Sequence, residues 1–430
     1  MEVMRIVHLG LGNFFRAHQA WYTSVAPDSP QWPIAAFTGR SPEAARQLNA
    51  QNGRYTLLVR GPERDEAQLI GAVDTAYAAN DHQAWREHLA SPRTALVTLT
   101  VTEAAYLRKP GGGLDETRAA ADVSAWLHGD PVQTVPGRLM AGLAERRVSG
   151  GGPIAIVPCD NLPSNGAETA RVVLDFTTLA EPALVPWIRD NVSFVSTMVD
   201  RITPRTTSSD LESARSLTGF DDAIPVVTEP FTEWVLEGVF PAGRPAWEAG
   251  GARFVSDITA HEQRKLLLLN GGHSLLAYAG SARGHQTVAD AVADPECLAW
   301  LTQWWDEAGR CVPLAPGEIA AYREALLHRF ANGRIRHTLA QIAADGSQKI
   351  PIRVVPVLRF ELSAGRVPGG SIRVLASWID HLRGVGAPID DAGAGPFVER
   401  AGSAREVVAL LAPDLATNDA LVAAIEKATR

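Results

Sequence analysis

Apolar positions along the 430-residue chain fall into two textures. In the first, short apolar runs alternate with stretches of helical spacing. "VMRIVHLGLG" is such a run and closes on Gly-x-Gly; "NFFRAHQAWYTSV" follows, with Phe14, Phe15, Ala17, Ala20, Trp21 and Val25 spaced for one helix face. This predicts strand, tight turn and helix. "WPIAAFTG" reads as a second strand, "SPEAARQLNAQN" as a helix with Ser41 at the N-cap and Pro42 at its first position, and "RYTLLVRG" as a further strand. "TALVTLTVTE" and "GPIAIVPCDN" are buried strands with helical stretches between them. The alternation predicts an α/β domain built on a mostly parallel, helix-covered sheet.

From about residue 261 the texture changes. "HEQRKLLLLNGGHSLLAYAGSA", "PECLAWLTQWWDEAGR", "GEIAAYREALLHRFA", "GSIRVLASWIDHLRG" and "AREVVALLAPD" are amphipathic helical patterns with few strand candidates. A single core stops growing at about 250 to 300 residues, so two domains are expected. We divide the chain into 1–255, an N-terminal Rossmann-like dinucleotide-binding domain, and 256–430, a mostly α-helical domain. The Pro- and Gly-rich stretch from Thr228 to Ala252 reads as their connection, and the cleft between the domains as the expected active site.

Charge and composition narrow the functional classes. A net charge of −8 without a basic run argues against nucleic acid. Cys159, Cys297 and Cys311 stand at unrelated spacings, which suits a reducing compartment and leads us to expect a cytoplasmic protein. The opening "MEVMRIVHLGLGNFF" lacks the features of a signal peptide, and no apolar run reaches the roughly 18 residues of a membrane span. No His-Glu-x-x-His or similar histidine cluster points to a metal.

Three places carry candidate chemistry. Gly10 and Gly12 sit at the first strand-to-helix turn, where bare backbone can approach a pyrophosphate; Phe15 stands where a dinucleotide fingerprint has its third glycine. The second strand ends in Gly39, Arg40 and Ser41, with no acidic residue for ribose hydroxyls, so NAD and NADP are both open. Asn161, in "CDNLPSNGAE" after the strand "GPIAIV", can donate to an oxyanion or cap a turn. In "KLLLLNGGHS", with Lys265 at 0° and about 100° per residue, Glu262 lies about 60° round, His273 about 80° and Asn270 about 140°. One arc therefore presents an acid, an amine, an amide and an imidazole. Gly271 and Gly272 each cost a helix about 1 kcal/mol, so close approach of a substrate or another backbone is expected there.

These residues resemble the polyol-specific long-chain dehydrogenases, the mannitol dehydrogenase family. Its signature K-x-x-x-x-N-x-x-H is matched by Lys265, Asn270 and His273. "GLGNFFRAHQA", "VTEAAY", "CDNLPSNG", "MVDRITP", "TEPFTEWV" and "RFANGRIRHTLAQIAADGSQKIPIR" extend the likeness over nearly the whole chain. The resemblance implies metal-independent hydride transfer between a nicotinamide cofactor, NAD with NADP not excluded, and a secondary alcohol or ketone. It implies Lys265 as acid/base, Asn161 and Asn270 on the oxyanion, His273 orienting the same oxygen, Glu262 as proton relay and Asp200 on sugar hydroxyls. Gly10, Gly12, Asn13, Phe14, Arg40, Thr102 and Glu103 then serve the cofactor.

"QIAADGSQKIPIR" is similar to the fructuronate reductase (D-mannonate oxidoreductase) branch, with Gln341 where polyol enzymes tend to carry Arg. Lys349 and Arg353 become candidates to hold a sugar-acid carboxylate. A mannitol 2-dehydrogenase or D-arabinitol dehydrogenase is the alternative, and a non-catalytic dinucleotide-binding sensor a more distant one. The expected partners are small molecules alone, with no nucleic acid, membrane or metal, and the expected assembly is a monomer or small homo-oligomer.

Overall fold

A computed structural model describes residues 3–430, which separate into two compact units between Thr259 and Ala260. The first is built on six strands: β1 Arg5–Leu9, β2 Ile34–Phe37, β3 Val73–Tyr77, β4 Thr94–Leu99, β5 Ile154–Pro158 and β6 Val192–Phe194. Their order is β3-β2-β1-β4-β5-β6, and every neighbouring pair is parallel. β2, β4 and β5 are buried throughout because helices cover both faces, which is why they read as continuous apolar runs. This is the strand order of dinucleotide-binding α/β folds, whose ligands meet the carboxyl ends of the strands where the order reverses, here between β1 and β4.

Three expectations need correction. The helix expected after Gly12 breaks in two, Asn13–Ala17 and Gln19–Val25. At the break His18 lies buried between Phe14, Tyr22 and Trp234, with its Nε2 3.1 Å from the Glu233 carbonyl oxygen. The strand Tyr55–Arg60 lies outside the main sheet, between Val226–Thr228 and Asp65–Ile70. Thr228–Ala252 is no connection between domains: its strand Glu233–Glu237 is the centre of a second small sheet, between Ser196–Asp200 and Arg253–Phe254. Trp234 and Trp247 from this stretch are fully buried, and that apolar content marks it as core.

Arg146, on the helix Val135–Ser149, ties the entrance of β5 to the rest of the unit. It is fully buried and donates five hydrogen bonds to main-chain oxygens: Nε to Gly152, Nη1 to Leu89 and Ser91, Nη2 to Gly151 and Pro153, at 2.5 to 3.1 Å. A buried cation is tolerable when its donors are satisfied in this way, and the planar fork of arginine matches five acceptors that an ammonium cannot reach together.

The second unit is helical, and its first helix is continuous from Thr259 to Gly280 but not regular. Lys265–Asn270 and Leu276–Gly280 are π-helical turns, separated by an α-helical turn Gly271–Leu275. A π turn closes i to i+5 and widens the helix, and each carbonyl has a second lone pair that can take a further donor. Two adjacent tryptophans of the helix Pro295–Cys311 supply such donors: Trp304 Nε1 donates to Leu267 O at 3.0 Å and Trp305 Nε1 to Leu268 O at 2.9 Å. Here lies the reason for the glycine pair. A Cβ at Gly271 would sit 2.5 Å from Trp304 Cζ2, and one at Gly272 would sit 3.0 Å from Leu301 Cδ1 and 3.2 Å from Trp305 Nε1. The close approach is that of two indoles.

Replacing Arg146 by Lys leaves main-chain oxygens buried without donors, and we expect a loss of about 2 to 4 kcal/mol in urea unfolding; an unchanged midpoint would refute the latch. Gly271→Ala overpacks a rigid ring and should cost about 1 to 3 kcal/mol. The exposed Gly402, with open space around it, is the control and should change by under about 0.5 kcal/mol on the same substitution.

Candidate active site

In the first unit a groove of about 460 Å³ is lined by Gly10, Gly39, Arg40, Thr100, Thr102 and Arg138, among others. Gly10 has φ +110°, and a Cβ there would run into the Thr100 carbonyl oxygen. The amides of Gly10 and Leu11 both donate to Phe37 O at 2.9 Å, pinning the turn to the end of β2. Beneath it runs a polar relay. His8 Nδ1 lies 2.8 Å from Thr98 Oγ1, its Nε2 lies 3.0 Å from Thr100 Oγ1, and Thr100 Oγ1 donates to Gly10 O at 2.8 Å. Because Thr100 donates to Gly10, His8 Nε2–H is the donor to Thr100, and Nδ1 accepts from Thr98. Phe15 stacks on the His8 ring at 3.6 Å, which explains an aromatic in place of the third glycine.

Gly12 precedes the first short helix and Asn13 opens it; the Asn13 amide oxygen accepts from Arg16 Nη2 at 2.9 Å. Phe14 is half-buried against His18. Arg40, Thr102 and Glu103 are exposed, the first two in the groove wall.

Asn161 is exposed on the loop after β5. That loop is held by residues not singled out above. Asn165 Nδ2 donates to Pro158 O at 3.1 Å and Thr197 O at 3.0 Å, and its Oδ1 accepts from Thr197 N at 2.8 Å. The Tyr106 hydroxyl donates to Asp160 Oδ2, so "VTEAAY" and "CDNLPSNG" meet through one hydrogen bond. Burial raises the Asp160 carboxyl to about 6, against the opposing pull of the Tyr106 and Leu162 donors. Asp200 is buried at the end of the strand Ser196–Asp200.

In the second unit the π turn alters the expected arc. Residues five apart stack in an i to i+5 turn, so Lys265 and Asn270 draw closer around the helix than a regular helix allows. Both are half-buried, as is Glu262 one turn earlier. His273 is buried, its ring stacked on Phe330 at 4.7 Å and edge-on to His337 at 4.9 Å, and its Nε2 is enclosed without a hydrogen-bond partner. Burial, then His337, Arg329 and Arg353, hold it well below the ordinary imidazole range, so it is neutral.

Arg353 is brought to this helix: Nη1 donates to Asn270 O at 3.2 Å and to Ser274 Oγ at 3.1 Å. It forms no ion pair among the described residues, its Nε is enclosed without an acceptor, and burial lowers it to about 10, leaving it cationic. Lys349 donates to Ile342 O at 3.3 Å and Ala344 O at 2.5 Å, capping the short helix Leu339–Ala343. Gln341 is exposed on that helix and accepts from Thr338 Oγ1 at 2.9 Å.

His285, Asp294 and Cys297, which form no recognised sequence motif, offer three donor atoms within 4.8 Å of one another. Asp294 also caps the next helix at Glu296 N and accepts from Arg283 at 2.6 Å, so the carboxylate is already neutralised by a cation and built into an end cap.

The neutral, buried His8 makes stability depend on pH. Burial lowers its pKa from 6.5 to about 3. The unfolded chain therefore takes up a proton below pH 6.5 that the folded chain refuses, and stability present above that pH is lost as it falls. Between pH 7 and pH 5 this amounts to roughly 2 kcal/mol. His8→Gln should flatten that part of the urea-midpoint profile; an unchanged slope would show His8 to be charged in the fold.

Comparison with known proteins places the chain in a family. Residues 4–249 match the mannitol dehydrogenase Rossmann domain and 257–430 the mannitol dehydrogenase C-terminal domain. Mannitol 2-dehydrogenase of Cereibacter sphaeroides is 35% identical over 97% of this chain and 91% of its own. D-mannonate oxidoreductase of Escherichia coli K12 is also 35% identical, over 89% of this chain and 80% of its own. Among solved structures, Pseudomonas fluorescens mannitol 2-dehydrogenase, in ternary complex with NAD and D-mannitol, superposes with a TM-score of 0.81 at 33% identity, covering 99% of this chain and 91% of that one. The chain belongs to the mannitol dehydrogenase family of oxidoreductases.

Proposed function

We propose that this protein interconverts D-mannonate and D-fructuronate with NAD as the hydride acceptor, and NADH as the donor in reverse, without a metal. The observation that carries the sugar-acid reading is Arg353. Its cationic fork is anchored beside Asn270 and Ser274 and pairs with no carboxylate among the described residues. A substrate carboxylate supplies that partner, with charge-assisted hydrogen bonds that a neutral polyol cannot match. Lys349 is the lesser contributor, since two of its three N–H donors are occupied by main-chain oxygens. The relatives span both substrate classes, with polyol enzymes the more numerous.

Each unit offers features that fit a ligand. The Gly10 turn leaves backbone bare where a side chain would intrude, and His273 Nε2 is a buried polar atom that a substrate hydroxyl can satisfy. The nicotinamide supplies hydride acceptance or donation. Lys265 takes the proton from the substrate hydroxyl in oxidation and returns it to the carbonyl oxygen in reduction. Asn161 and Asn270 donate to that oxygen as negative charge grows on it. Neutral His273 orients the same oxygen or its neighbour. Glu262, one turn before Lys265, exchanges the proton with solvent, and Asp200 accepts from sugar hydroxyls. No described helix is long and apolar enough to cross a membrane, and we place the reaction in the cytoplasm, where the three free cysteines stay reduced.

A panel of sugar acids and polyols, assayed in both directions, tests the substrate. D-Mannonate should exceed D-mannitol and D-arabinitol in kcat/KM by at least about tenfold. The reverse order removes the carboxylate role of Arg353, and no turnover with any of them favours a sensor. Lys265→Ala should lower kcat by about 10²- to 10⁴-fold with cofactor affinity kept; near-normal turnover takes Lys265 out of the mechanism.

A further inference from the structure

The helix Val135–Ser149 carries two buried arginines with opposite circumstances. Arg146 has five main-chain acceptors. Arg138, only 4% exposed, has no hydrogen-bond or ion-pair partner for its side chain among the described residues. Its guanidinium lies over the Trp85 ring at 4.8 Å and near Phe37 at 5.8 Å, with Nε and Nη2 enclosed and without acceptors. Burial lowers it to about 10, so it stays charged at neutral pH. Enclosing a cation without an acceptor costs several kcal/mol, and aromatic faces return only about 2 kcal/mol of it. Such a group awaits an anion.

Its position says which. Arg138 lies between two cavities, the groove formed by the Gly10 turn and the corner after β2, and a neighbouring one lined by His82, Trp85 and Asp130; only the first lies at the carboxyl ends of the strands. That corner reads Gly39, Arg40, Ser41: Gly39 faces open space, Arg40 is exposed and makes no ion pair among the described residues, and Ser41 Oγ accepts from Glu43 N at 3.2 Å. The groove lining contains two guanidiniums and no carboxylate. An acidic residue at this corner would bind the two ribose hydroxyls and repel a phosphate; none is present. We infer that the groove takes NADP(H) in addition to NAD(H), with Arg40 as the outer and Arg138 as the inner partner of the 2′-phosphate.

The inference rests on the nucleotide-groove reading of the proposed function, and the test keeps the two apart by omitting the nicotinamide. Calorimetry of the whole protein with adenosine 2′,5′-bisphosphate and with adenosine 5′-monophosphate should show the bisphosphate binding at least about tenfold tighter, a preference that shrinks as salt rises. Arg40→Gln and Arg138→Met should each lose at least about fivefold of that preference while changing monophosphate affinity less than about twofold. Arg138→Met should also keep or raise the urea midpoint, because it removes an unsatisfied buried charge; a large drop would make Arg138 a structural residue and overturn its role. Equal or weaker binding of the bisphosphate overturns the inference and leaves the nucleotide groove standing. Binding of neither ligand overturns both. A preference that survives Arg138→Met overturns the inner partner.

Discussion

The second unit turns on one backbone feature, a π turn whose carbonyls accept from side chains. At Lys265–Asn270 each such demand is met by a specific group. Trp304 and Trp305 serve Leu267 and Leu268, while Arg353 and Ser274 serve Asn270. The spacing of five between Lys265 and Asn270 then has a geometric cause, since a π turn brings i and i+5 together. The glycine pair follows from the same demand, because indoles close enough to donate leave no room for a Cβ. Chemistry, helix irregularity and packing are here one arrangement.

The first unit solves a related problem at the carboxyl ends of its strands. A turn as bare as Gly10 has no side chain to hold it in place, so the support comes from below. His8, in the middle of a buried strand, is linked through Thr100 to the Gly10 carbonyl, and Phe15 closes over its ring. The loop of Asn161 is supported similarly, by Asn165 against Thr197 and by Tyr106 against Asp160. In each case an exposed or bare candidate position stands on a buried polar group, which fixes geometry without filling the groove.

Much of this was legible in the chain. Continuous apolar runs identify β1, β2, β4 and β5 because both faces of a parallel sheet are covered. β3 and β6 escape notice: "VDTAY" mixes exposed and buried positions, and the three residues of β6 are only half-buried at the sheet edge. Gly-Pro richness misled at Thr228–Ala252, where two buried tryptophans were the better signal. Lys265, Asn270 and His273 stood out through misplaced polarity, yet their closeness depends on a π turn that a fixed helical period cannot register. Arg138, Asn165 and Tyr106 were invisible because each draws its meaning from a partner, or the lack of one, distant in sequence. His8 did carry a local signal: a polar residue inside an apolar strand, two positions before a glycine turn.

Three arginines, Arg146 and Arg138 buried and Arg353 half-buried, order themselves by what remains unsatisfied. Arg146, bonded to five carbonyls, is complete and therefore structural. Arg353 is half complete: two acceptors aim it, no anion neutralises it, and its Nε is idle. Arg138 has only aromatic faces. Folding alone accounts for the first, since its bonds offset its desolvation. It does not account for the other two, whose cost falls on the folded state until a ligand brings negative charge. In the second unit that charge is assigned to a substrate carboxylate, and in the first to a phosphate on the adenine ribose. Both assignments rest on the same feature, an enclosed guanidinium that keeps idle N–H donors and has no anion beside it, where Arg146 keeps none.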